Sequence, residues 1–439
     1  MNPTVLVIGG TLAGLTTALR LSQHGYAVTI IEQPEQHASS AQHESNEDAF
    51  PLVLMGCHTA TLSLLETLDT ADRVQLDDRI GFELLRSNGR LIRLRRPPLP
   101  APLHALAGLA IFAGMPARDR WRFLMWAERT WEQDPALPVD LESHTAEVWL
   151  RGIAQSECAR AQVWTPLCRF LLGDDVGTVS AAALLSALIR CFFSSRRHSR
   201  LAIPLLSIDQ LLRQPLRETL IGMGASIETG YADRLDFSVH GVAGVQLKGG
   251  NTLTADWYIV ALPHQVVTPL LPERLLTRYS YFQHIDALVD TPAVGVYRWI
   301  DRPIHSPRLV LLAGRTFHWM CLRPAADPRH SVIAFIVTGL SEWLDRPDKD
   351  LLNLAGQDLQ FTLPAFSNAR EISHRIVRER RACLSIRPGT TAHRPLQRSP
   401  FPNLLLAGEW TDTGLPSTVE SAIVSGNRCG QAIIDRVGP

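Results

Sequence analysis

The sequence predicts an α/β protein whose central parallel sheet is assembled from distant parts of the chain. Three observations predict it. A strand, a glycine turn, a helix and a second strand occupy the chain up to Glu32. An apolar run stops at Pro263, and another, 403–407, precedes a helical pattern at the C-terminus. Short, continuously apolar runs are typical of parallel strands that are covered on both faces.

Composition indicates packed cores and excludes several classes of protein. Of the 439 residues, 46% are hydrophobic and 20% charged, so the chain is not disordered. The 43 basic residues equal the 43 acidic ones, which argues against general nucleic-acid binding. The seven cysteines form no CxxC pair and the chain opens on a strand pattern, so we expect a reduced, cytoplasmic protein without a signal peptide or a zinc site.

The N-terminal unit has the features of a dinucleotide-binding turn. The first glycine permits the tight turn, the second lets the backbone approach the diphosphate, and the third packs the helix on the sheet. Thr11 stands in the second place, where its Cβ crowds the diphosphate and its hydroxyl offers a hydrogen bond. The alternative is a nucleotide-free unit with Glu32 solvated. The residues that we expect to bind the dinucleotide are Gly9, Gly10, Thr11, Ala13, Gly14 and, on the ribose, Glu32.

The C-terminus predicts a second helix that begins at the same cofactor. The strand 403–407 ends in Gly408-Glu409, and residues 417–420 read STVE, a capping box. A cofactor held by both chain ends is typical of FAD enzymes, whereas NAD needs only one such unit. The alternatives are that Glu420 only closes its capping box and that Glu409 is a surface carboxylate. The residues that we expect at the cofactor here are Gly408, Glu409, Ser417, Thr418 and Val419.

Two long segments carry a family resemblance. VLVIGGTLAGLTTALRLSQHGYAVTIIE resembles the FAD-dependent amine oxidase and phytoene desaturase superfamily. NLLLAGEWTDTGLPSTVESAIVSG resembles the ending of the hydroxysqualene dehydroxylases, the squalene-associated FAD-dependent desaturases of bacterial hopanoid synthesis. LPAPLHALAGL, VWTPLCRFLL and HRIVRERRACLSIRPG extend the resemblance nearly from end to end.

The resemblance implies a Rossmann-like FAD-binding domain of the amine-oxidase type, interleaved with an α+β substrate domain. The FAD-binding domain would comprise 1–57, 201–265 and 401–439. A helical, substrate- and membrane-facing domain would comprise 58–200, and the sheet of the substrate domain 266–400.

Some positions depart from the family pattern. The family usually has a Gly-Gly-Arg turn after the acidic residue, but residues 36–40 read QHASS. It has a polar stretch near the flavin where residues 48–52 read DAFPL, and only Asp48 is retained. These departures leave open a scaffold of the hopanoid pathway that lacks FAD and has no catalytic activity.

The implied reaction is the reductive dehydroxylation of hydroxysqualene to squalene by a hydride from reduced FAD. It needs a proton donor for the leaving hydroxyl and an apolar, water-excluding pocket. The candidate acids are Asp48, His58, Glu409 and Asp412, and their spacing singles out none, so the catalytic residue stays unassigned.

Two other reactions stay open. Carotenoid or phytoene desaturation shares the lipid chemistry but is a net oxidation. Amine oxidases often place a lysine near the flavin. Because the only lysines, Lys248 and Lys349, fall in a hairpin and in a polar run, the sequence argues against amine oxidation.

An apolar stretch, 101–117, is bracketed by basic and aromatic residues. It suits a shallow dip into the inner face of the cytoplasmic membrane, where a lipid-soluble isoprenoid and neighbouring pathway enzymes would be found; the alternative is a buried core helix. The flanking residues are Arg93, Arg95, Arg96, Arg118, Arg120, Arg122, Trp121, Trp126 and Trp131.

Overall fold

A computed structural model describes residues 2–33, 48–74, 76–77, 82–131, 140–305, 307–366 and 368–437. The strands are β1 (Thr4–Ile8), β2 (Ala27–Glu32), β3 (Leu54–Met55), β4 (Glu83–Leu85), β5 (Leu91–Arg93), β6 (Leu201–Ala202), β7 (Ser226–Thr229), β8 (Ala232–Ser238), β9 (Gly241–Leu247), β10 (Thr252–Leu253), β11 (Trp257–Val260), β12 (Asp290–Ile300), β13 (Arg308–Leu312), β14 (Trp319–Pro324), β15 (Ser331–Thr338), β16 (Glu371–Leu384) and β17 (Leu404–Leu406). The α-helices are α1 (Leu12–Ser22), α2 (Thr59–Thr67), α3 (Leu103–Ala110), α4 (Ala117–Trp131), α5 (Asp140–Ser143), α6 (Ala146–Gly152), α7 (Glu157–Ala159), α8 (Thr165–Leu172), α9 (Ala181–Leu188), α10 (Gln214–Gly222), α11 (Glu273–Arg278), α12 (Ser280–Gln283), α13 (Asp348–Thr362), α14 (Thr390–His393) and α15 (Val419–Val437).

A parallel five-stranded sheet joins the two ends of the chain, in the order β17-β11-β1-β2-β7. In its register Val7 lies beside Ile30 on one side and Ile259 on the other, and all three side chains are fully buried. This burial on both faces explains why the strands are apolar throughout rather than alternating. The sheet is the Rossmann-like layer that the N- and C-terminal patterns predict.

Helices cover one face of this sheet and a small antiparallel sheet covers the other. α1, α10 and α15 form the helical layer. The sheet β10-β9-β8, together with residues 264–288, packs on the opposite face. α1 and α15 cross closely, because a Cβ at Gly426 would lie 2.4 Å from the carbonyl oxygen of Ala13. Because α1 follows β1 and α15 follows β17, both helices begin at the carboxyl edge of the sheet, and they pack against each other there.

A second sheet of seven strands has the order β16-β12-β15-β14-β13-β4-β5. α13 packs on one face, and the layer formed by α3, α4 and α6–α9 packs on the other. The strands predicted near 292–300, 309–313 and 332–338 are confirmed. β14 was not predicted.

The segment 58–200, predicted as a helical substrate domain, contains a β-hairpin as well, and its first helix packs in the core of the parallel sheet. β4 and β5 are three-residue strands of a hairpin that extends the seven-stranded sheet through β13. Such short strands leave no periodic signal and are stabilised by a partner distant in sequence. α2 packs against α15 in the core of the parallel sheet. Within the described residues, no helix combines the length and the apolar character that crossing a membrane requires.

Candidate functional site

The turns that follow three neighbouring parallel strands meet at one edge of the sheet. The Thr11 hydroxyl, after β1, donates to the carbonyl of Ala261, after β11, at 3.0 Å. The indole of Trp410, after β17, donates to the carbonyl of Leu262 at 3.0 Å. Crevices at the carboxyl edge of such sheets are where α/β proteins bind nucleotides.

The glycines of the first turn are needed because no side chain would fit. Gly9 has a φ of +117°, and a Cβ there would lie 2.2 Å from the carbonyl oxygen of Ala261. A Cβ on Gly14 would lie 2.2 Å from the Gly9 carbonyl oxygen, and one on Gly10 would lie 2.2 Å from Glu32 Oε1. The turn is therefore a bare-backbone cradle with the Glu32 carboxylate beside it.

Thr11 is turned into the protein. It is the N-cap of α1, where its Oγ1 accepts from the Gly14 amide at 3.3 Å while donating to Ala261. The expected hydrogen bond from this hydroxyl to a diphosphate is thus replaced by a bond to the backbone. The first-turn amides of Leu12 and Ala13 have no acceptor among the described residues, and they carry the positive end of the helix dipole.

Glu32 is paired rather than solvated. Arg217 Nε contacts its Oε1 at 3.0 Å and Arg217 Nη2 contacts its Oε2 at 3.1 Å. A carboxylate with two oxygens has lone pairs beyond those that a bidentate arginine uses. The pair fixes the carboxylate over Gly10, at the edge of the glycine turn.

The capping box predicted at residues 417–420 is wrong. α15 begins at Val419, and the Thr418 hydroxyl is its N-cap, accepting from the Ser421 amide at 3.3 Å. The helix begins one residue later than predicted, so the third helical position is Ser421 rather than Glu420. Ser417 precedes the cap and is half-buried.

Glu420 instead caps a different helix. Its carboxylate accepts from the amides of Ala60 and Thr61 in the first turn of α2, at 3.0 and 2.8 Å. The Thr61 hydroxyl donates at 2.8 Å and Arg190 Nη2 at 3.1 Å. The buried charge of Glu420 is compensated by these donors and ties α2 to the start of α15.

Glu409 faces a buried histidine and a carboxylate. Burial raises the pKa of Glu409, and the neighbouring Asp290 also raises it, while His264 and Arg394 oppose the shift. The His264 ring lies 3.0 Å from Asp290 Oδ1. By exposed surface Glu409 is half-buried, so it is not a fully exposed surface carboxylate.

Arg394 holds the loop that leads from β17 to α15, and no sequence pattern pointed to this residue. Its guanidinium donates to the carbonyls of Glu409 at 2.8 Å, Trp410 at 3.2 Å, Thr411 at 2.6 Å and Leu415 at 2.6 Å. Burial lowers its pKa to about 10. Four carbonyls converging on one cation fix the path of the loop before α15.

A cavity of about 520 Å³ opens where α15 begins, within the size range of ligand pockets. Its polar lining residues are Asp48, His58, Arg190, Arg213, Thr418 and Glu420. Two of the four candidate acids, Asp48 and His58, line it. Glu409 and Asp412 are not among its described lining residues.

The two lining acids have different surroundings. Both oxygens of Asp48 lie within 3.1 Å of the Ile208 amide, and burial raises its pKa to about 6 against the opposing effects of that amide and of Arg213. His58 Nδ1 accepts from the Met55 amide at 3.3 Å.

Arg213 brings an uncompensated donor to the same cavity. It ends a π-helical turn, Asp209–Arg213, that continues into α10. Its Nε is buried and has no hydrogen-bond acceptor in the described part of the chain, and burial lowers its pKa although Asp209 and Asp48 lie near. The segment 36–40, which lacks the expected arginine, lies outside the described residues.

A smaller, apolar cavity of about 90 Å³ lies in the helical layer of the second domain. A row of aromatic rings links it to the large one. Trp319 and Phe170, of the large cavity, are 5.5 Å apart between centroids, and Phe170 is 5.4 Å from Phe82. The aromatic residues that line the small cavity are Phe82, Phe112, Phe123, Trp164, Phe192 and Phe193.

The fold and the site define a dinucleotide-dependent oxidoreductase with a second, apolar domain beside its cofactor crevice. Residues 12–434 match the family described as flavin containing amine oxidoreductase, and the chain belongs to this family. The protein is an FAD-dependent oxidoreductase of the amine oxidase and phytoene desaturase superfamily.

Individual relatives are distant but span the whole chain. The 15-cis-phytoene desaturase of Synechococcus elongatus is 25% identical over 98% of this chain and 96% of its own length. The hydroxysqualene dehydroxylase of Rhodopseudomonas palustris is 23% identical over 99% of both. Among solved structures, the cyclohexylamine oxidase of Brevibacterium oxydans superposes with a TM-score of 0.68 at 17% identity, covering 100% of both chains.

Proposed function

We propose that this enzyme removes the hydroxyl group of hydroxysqualene, a C30 isoprenoid alcohol, and releases squalene for hopanoid synthesis. The observation that carries the proposal is the apolar cavity lined by aromatic side chains, from which the contacting rings of Phe82, Phe170 and Trp319 lead to the large cavity. Electron-rich rings in a water-excluding site stabilise the developing allylic cation that loss of the hydroxyl creates. The resemblance to a hydroxysqualene dehydroxylase along the whole chain supports the same substrate class.

The residues present fit FAD. Three features suit an anion that enters from outside the protein. They are the glycine turn, the two amides of Leu12 and Ala13 that lack acceptors, and the Arg213 Nε that lacks one too. We assign the diphosphate to α1 and Arg213, the ribose to Glu32, and the start of α15 at Thr418 and Val419 to the remainder of the cofactor. The further residues assigned to the cofactor are Gly9, Gly10, Ala13, Gly14, Gly408, Glu409 and Ser417, and Thr11 belongs to the site through its place in the turn rather than through its hydroxyl.

When bound, FAD supplies the hydride transfer. The protein supplies the rest of the chemistry. The aromatic walls exclude water, and a protonated group at the cavity donates to the leaving oxygen. Asp48, whose pKa is raised to about 6, and His58 are the lining groups that can hold this proton.

Both lysines are remote from any such chemistry. Lys248 is exposed beside the Tyr231 ring, and Lys349 is exposed at the start of α13. Neither lines the large cavity. This favours an isoprenoid substrate over amine oxidation.

The experiment is an anaerobic incubation of the FAD-loaded enzyme, reduced with dithionite, with hydroxysqualene, scored for squalene by mass spectrometry. Phytoene with oxidised FAD and a quinone acceptor is the parallel assay. Squalene formation supports the proposal, whereas desaturated phytoene without squalene would assign the second activity. A purified protein that is colourless and takes up no FAD would favour the scaffold.

The enzyme meets its substrate at the inner face of the cytoplasmic membrane, near the enzymes that precede and follow it. Leu103, Ile111 and Trp121 expose 52%, 55% and 65% of their surfaces around α3 and the start of α4. Leu106 is half-buried and Leu109 lines the small cavity, so they contribute less to this surface. Trp131 has a side chain that lies outside the described residues.

Sedimentation with anionic liposomes tests this contact. The double variant Leu103→Glu and Ile111→Glu should lose liposome binding, because two charges enter the surface that would lie in the lipid. Ile221→Glu, at an equally exposed position on α10, is the matched control. Liposome binding that is the same in both variants would exclude α3 as the contact.

A further inference from the structure

Two cysteine side chains meet in the wall of the large cavity. Cys57 Sγ and Cys191 Sγ lie 3.7 Å apart, although the two residues are 134 positions apart in the chain. Both thiols are buried, and both line the cavity of about 520 Å³, so a small solute reaches them from the cavity rather than from the outer surface. The chemistry assigned above to the cofactor and the isoprenoid uses neither thiol.

The backbone holds these two thiols at the same place. Cys57 lies in the turn between β3 and α2, and Cys191 lies in a π-helical turn, Ile189–Phe193, that continues α9. The Arg190 guanidinium, next to Cys191, donates to the carbonyl of Cys57 at 3.0 Å. π-Helical turns are rare and often occur at functional sites. Since the sulfur atoms of a disulfide lie roughly 2 Å apart, a local adjustment of the two turns brings the thiols to bonding distance.

The surroundings favour a thiolate on one partner and a thiol on the other. The Cys191 thiol lowers the pKa of Cys57, as do His58 and Arg190, whereas burial opposes the shift. The pKa of Cys191 is raised by Cys57 and by burial. A thiolate is the nucleophile in thiol oxidation, and a neighbouring thiol converts the oxidised product into a disulfide. Cys57 is therefore the attacking thiol and Cys191 the resolving one.

We propose that Cys57 and Cys191 form a reversible disulfide bond when hydrogen peroxide enters the large cavity. Reactions with dioxygen are among those that flavins carry, which makes peroxide the oxidant expected here. The Cys57 thiolate attacks one peroxide oxygen, so the O–O bond breaks, a sulfenic acid forms and hydroxide leaves. The Cys191 thiol then attacks the sulfenic sulfur, so the S–S bond forms and water leaves. The proton that Cys57 had lost neutralises the hydroxide, and one peroxide is thereby reduced to two waters.

The bond joins the two domains at the cavity. Cys57 precedes α2, which packs against α15 in the core of the parallel sheet, and Cys191 follows α9 in the helical layer of the second domain. A disulfide between residues so far apart in the chain restricts the unfolded protein strongly. The oxidised protein should therefore melt at a higher temperature than the reduced protein, whichever substrate the enzyme takes.

The test treats the FAD-loaded protein, without substrate, with a small excess of hydrogen peroxide, and blocks the remaining thiols with N-ethylmaleimide in denaturant. Non-reducing mass spectrometry should then find the peptides of Cys57 and Cys191 as one disulfide-linked species. Dithiothreitol should restore both thiols and reverse the rise in melting temperature. Cys158, which is exposed, shows in the same sample that the peroxide reached the protein.

Two serine variants separate the pair from a general effect of oxidation. In Cys191→Ser the resolving thiol is absent, so Cys57 should remain a sulfenic acid that dimedone traps, and the melting temperature should not rise. Cys158→Ser is the matched control and should form the same disulfide as the native protein. If Cys191→Ser fails to fold, the linked peptide in the native protein still decides the matter.

Two results would overturn the proposal. One is native protein in which Cys57 and Cys191 stay reduced under peroxide that oxidises Cys158. The other is native protein in which Cys57 is oxidised but not linked to Cys191. Because the experiment uses no substrate, either result would leave the proposed reaction with hydroxysqualene untouched.

Discussion

Replacing Arg213 tests the cofactor site most directly. Its Nε makes no hydrogen bond with the described residues, so Arg213→Gln breaks no hydrogen bond at that atom, although it leaves the charges of Asp48 and Asp209 without this neighbour. Because burial disfavours the half-buried Arg213 charge while Asp48 and Asp209 favour it, its removal should change the melting temperature of the apoprotein little. The cost should therefore appear in cofactor affinity and not in folding.

The expected loss follows from the charge of the partner. A hydrogen bond to a charged group contributes about 1.5–3 kcal/mol, so the dissociation constant for FAD should be roughly 10- to 150-fold larger in Arg213→Gln. Titration of apoprotein with FAD, followed by quenching of flavin fluorescence, measures it. Riboflavin, which has no diphosphate, provides the internal comparison, and Arg213→Gln should leave its affinity unchanged.

Arg234→Gln is the matched control, because Arg234 is exposed and paired with Asp236 on the small antiparallel sheet. It should bind FAD as the native protein does. An equal loss for FAD and riboflavin would assign Arg213 to the flavin ring instead of the diphosphate. No loss for either ligand would refute the reasoning.

The remaining predictions concern pH, thiol reactivity and the glycine turn. The pKa of Asp48 is about 6 when folded and 3.8 otherwise, so the native state binds the extra proton and stability falls as pH rises from about 4 to 6. The melting temperature of Asp48→Asn should therefore exceed that of the native protein at pH 8 and equal it at pH 4. The gain in unfolding free energy has an upper limit of about 3 kcal/mol. A difference that stays constant across pH would contradict the shift. The pKa of Cys57 is lowered by the neighbouring Cys191 thiol, but Cys57 is only 2% exposed, whereas Cys158 is exposed. Because Cys57 lines the large cavity, bound FAD should slow its labelling by iodoacetamide and leave that of Cys158 unchanged, as mass spectrometry would report; equal slowing of both would contradict this. Gly9→Ala should cost more than about 1 kcal/mol of unfolding free energy in urea, since its φ is +117° and its neighbour is backbone. Gly10→Ala meets the Glu32 side chain, which can move only by disturbing its pair with Arg217, so it should cost less unfolding free energy than Gly9→Ala while weakening FAD binding; equal unfolding costs would contradict this distinction.

The parallel sheet could be predicted because adjacent residues are enough to indicate its strands and turns. Val5–Ile8 and the glycines after it specify a strand and a turn from adjacent residues, and a continuous apolar run such as 257–262 specifies burial on both faces. The positions of Gly9, Gly10 and Gly14 follow from the same local rule. The family resemblance added the cofactor, which these patterns alone would not have distinguished from a nucleotide-free unit.

What could not be predicted depends on partners far apart in the chain. Glu420 follows a serine by three residues, the spacing of a capping box, yet it caps α2, which begins about 360 residues earlier. Because the helix begins one residue later than predicted, Ser421 and not Glu420 occupies the third helical position. Spacing reports which residues can meet within one helix, but the fold decides which helix a carboxylate reaches.

The side chains that the sequence missed at the site are mostly arginines, and this follows from composition. All but two of the 43 basic residues are arginine. A guanidinium presents five donors in a fixed plane and stays charged when buried, so one Arg394 can hold four carbonyls, and Arg217 can fix both oxygens of Glu32. A lysine ammonium would lose its proton more readily in such places and reach fewer acceptors. At this site arginines therefore position backbone carbonyls and a carboxylate, and Arg213 stands apart because its buried Nε is the donor at the large cavity that the described residues leave without an acceptor.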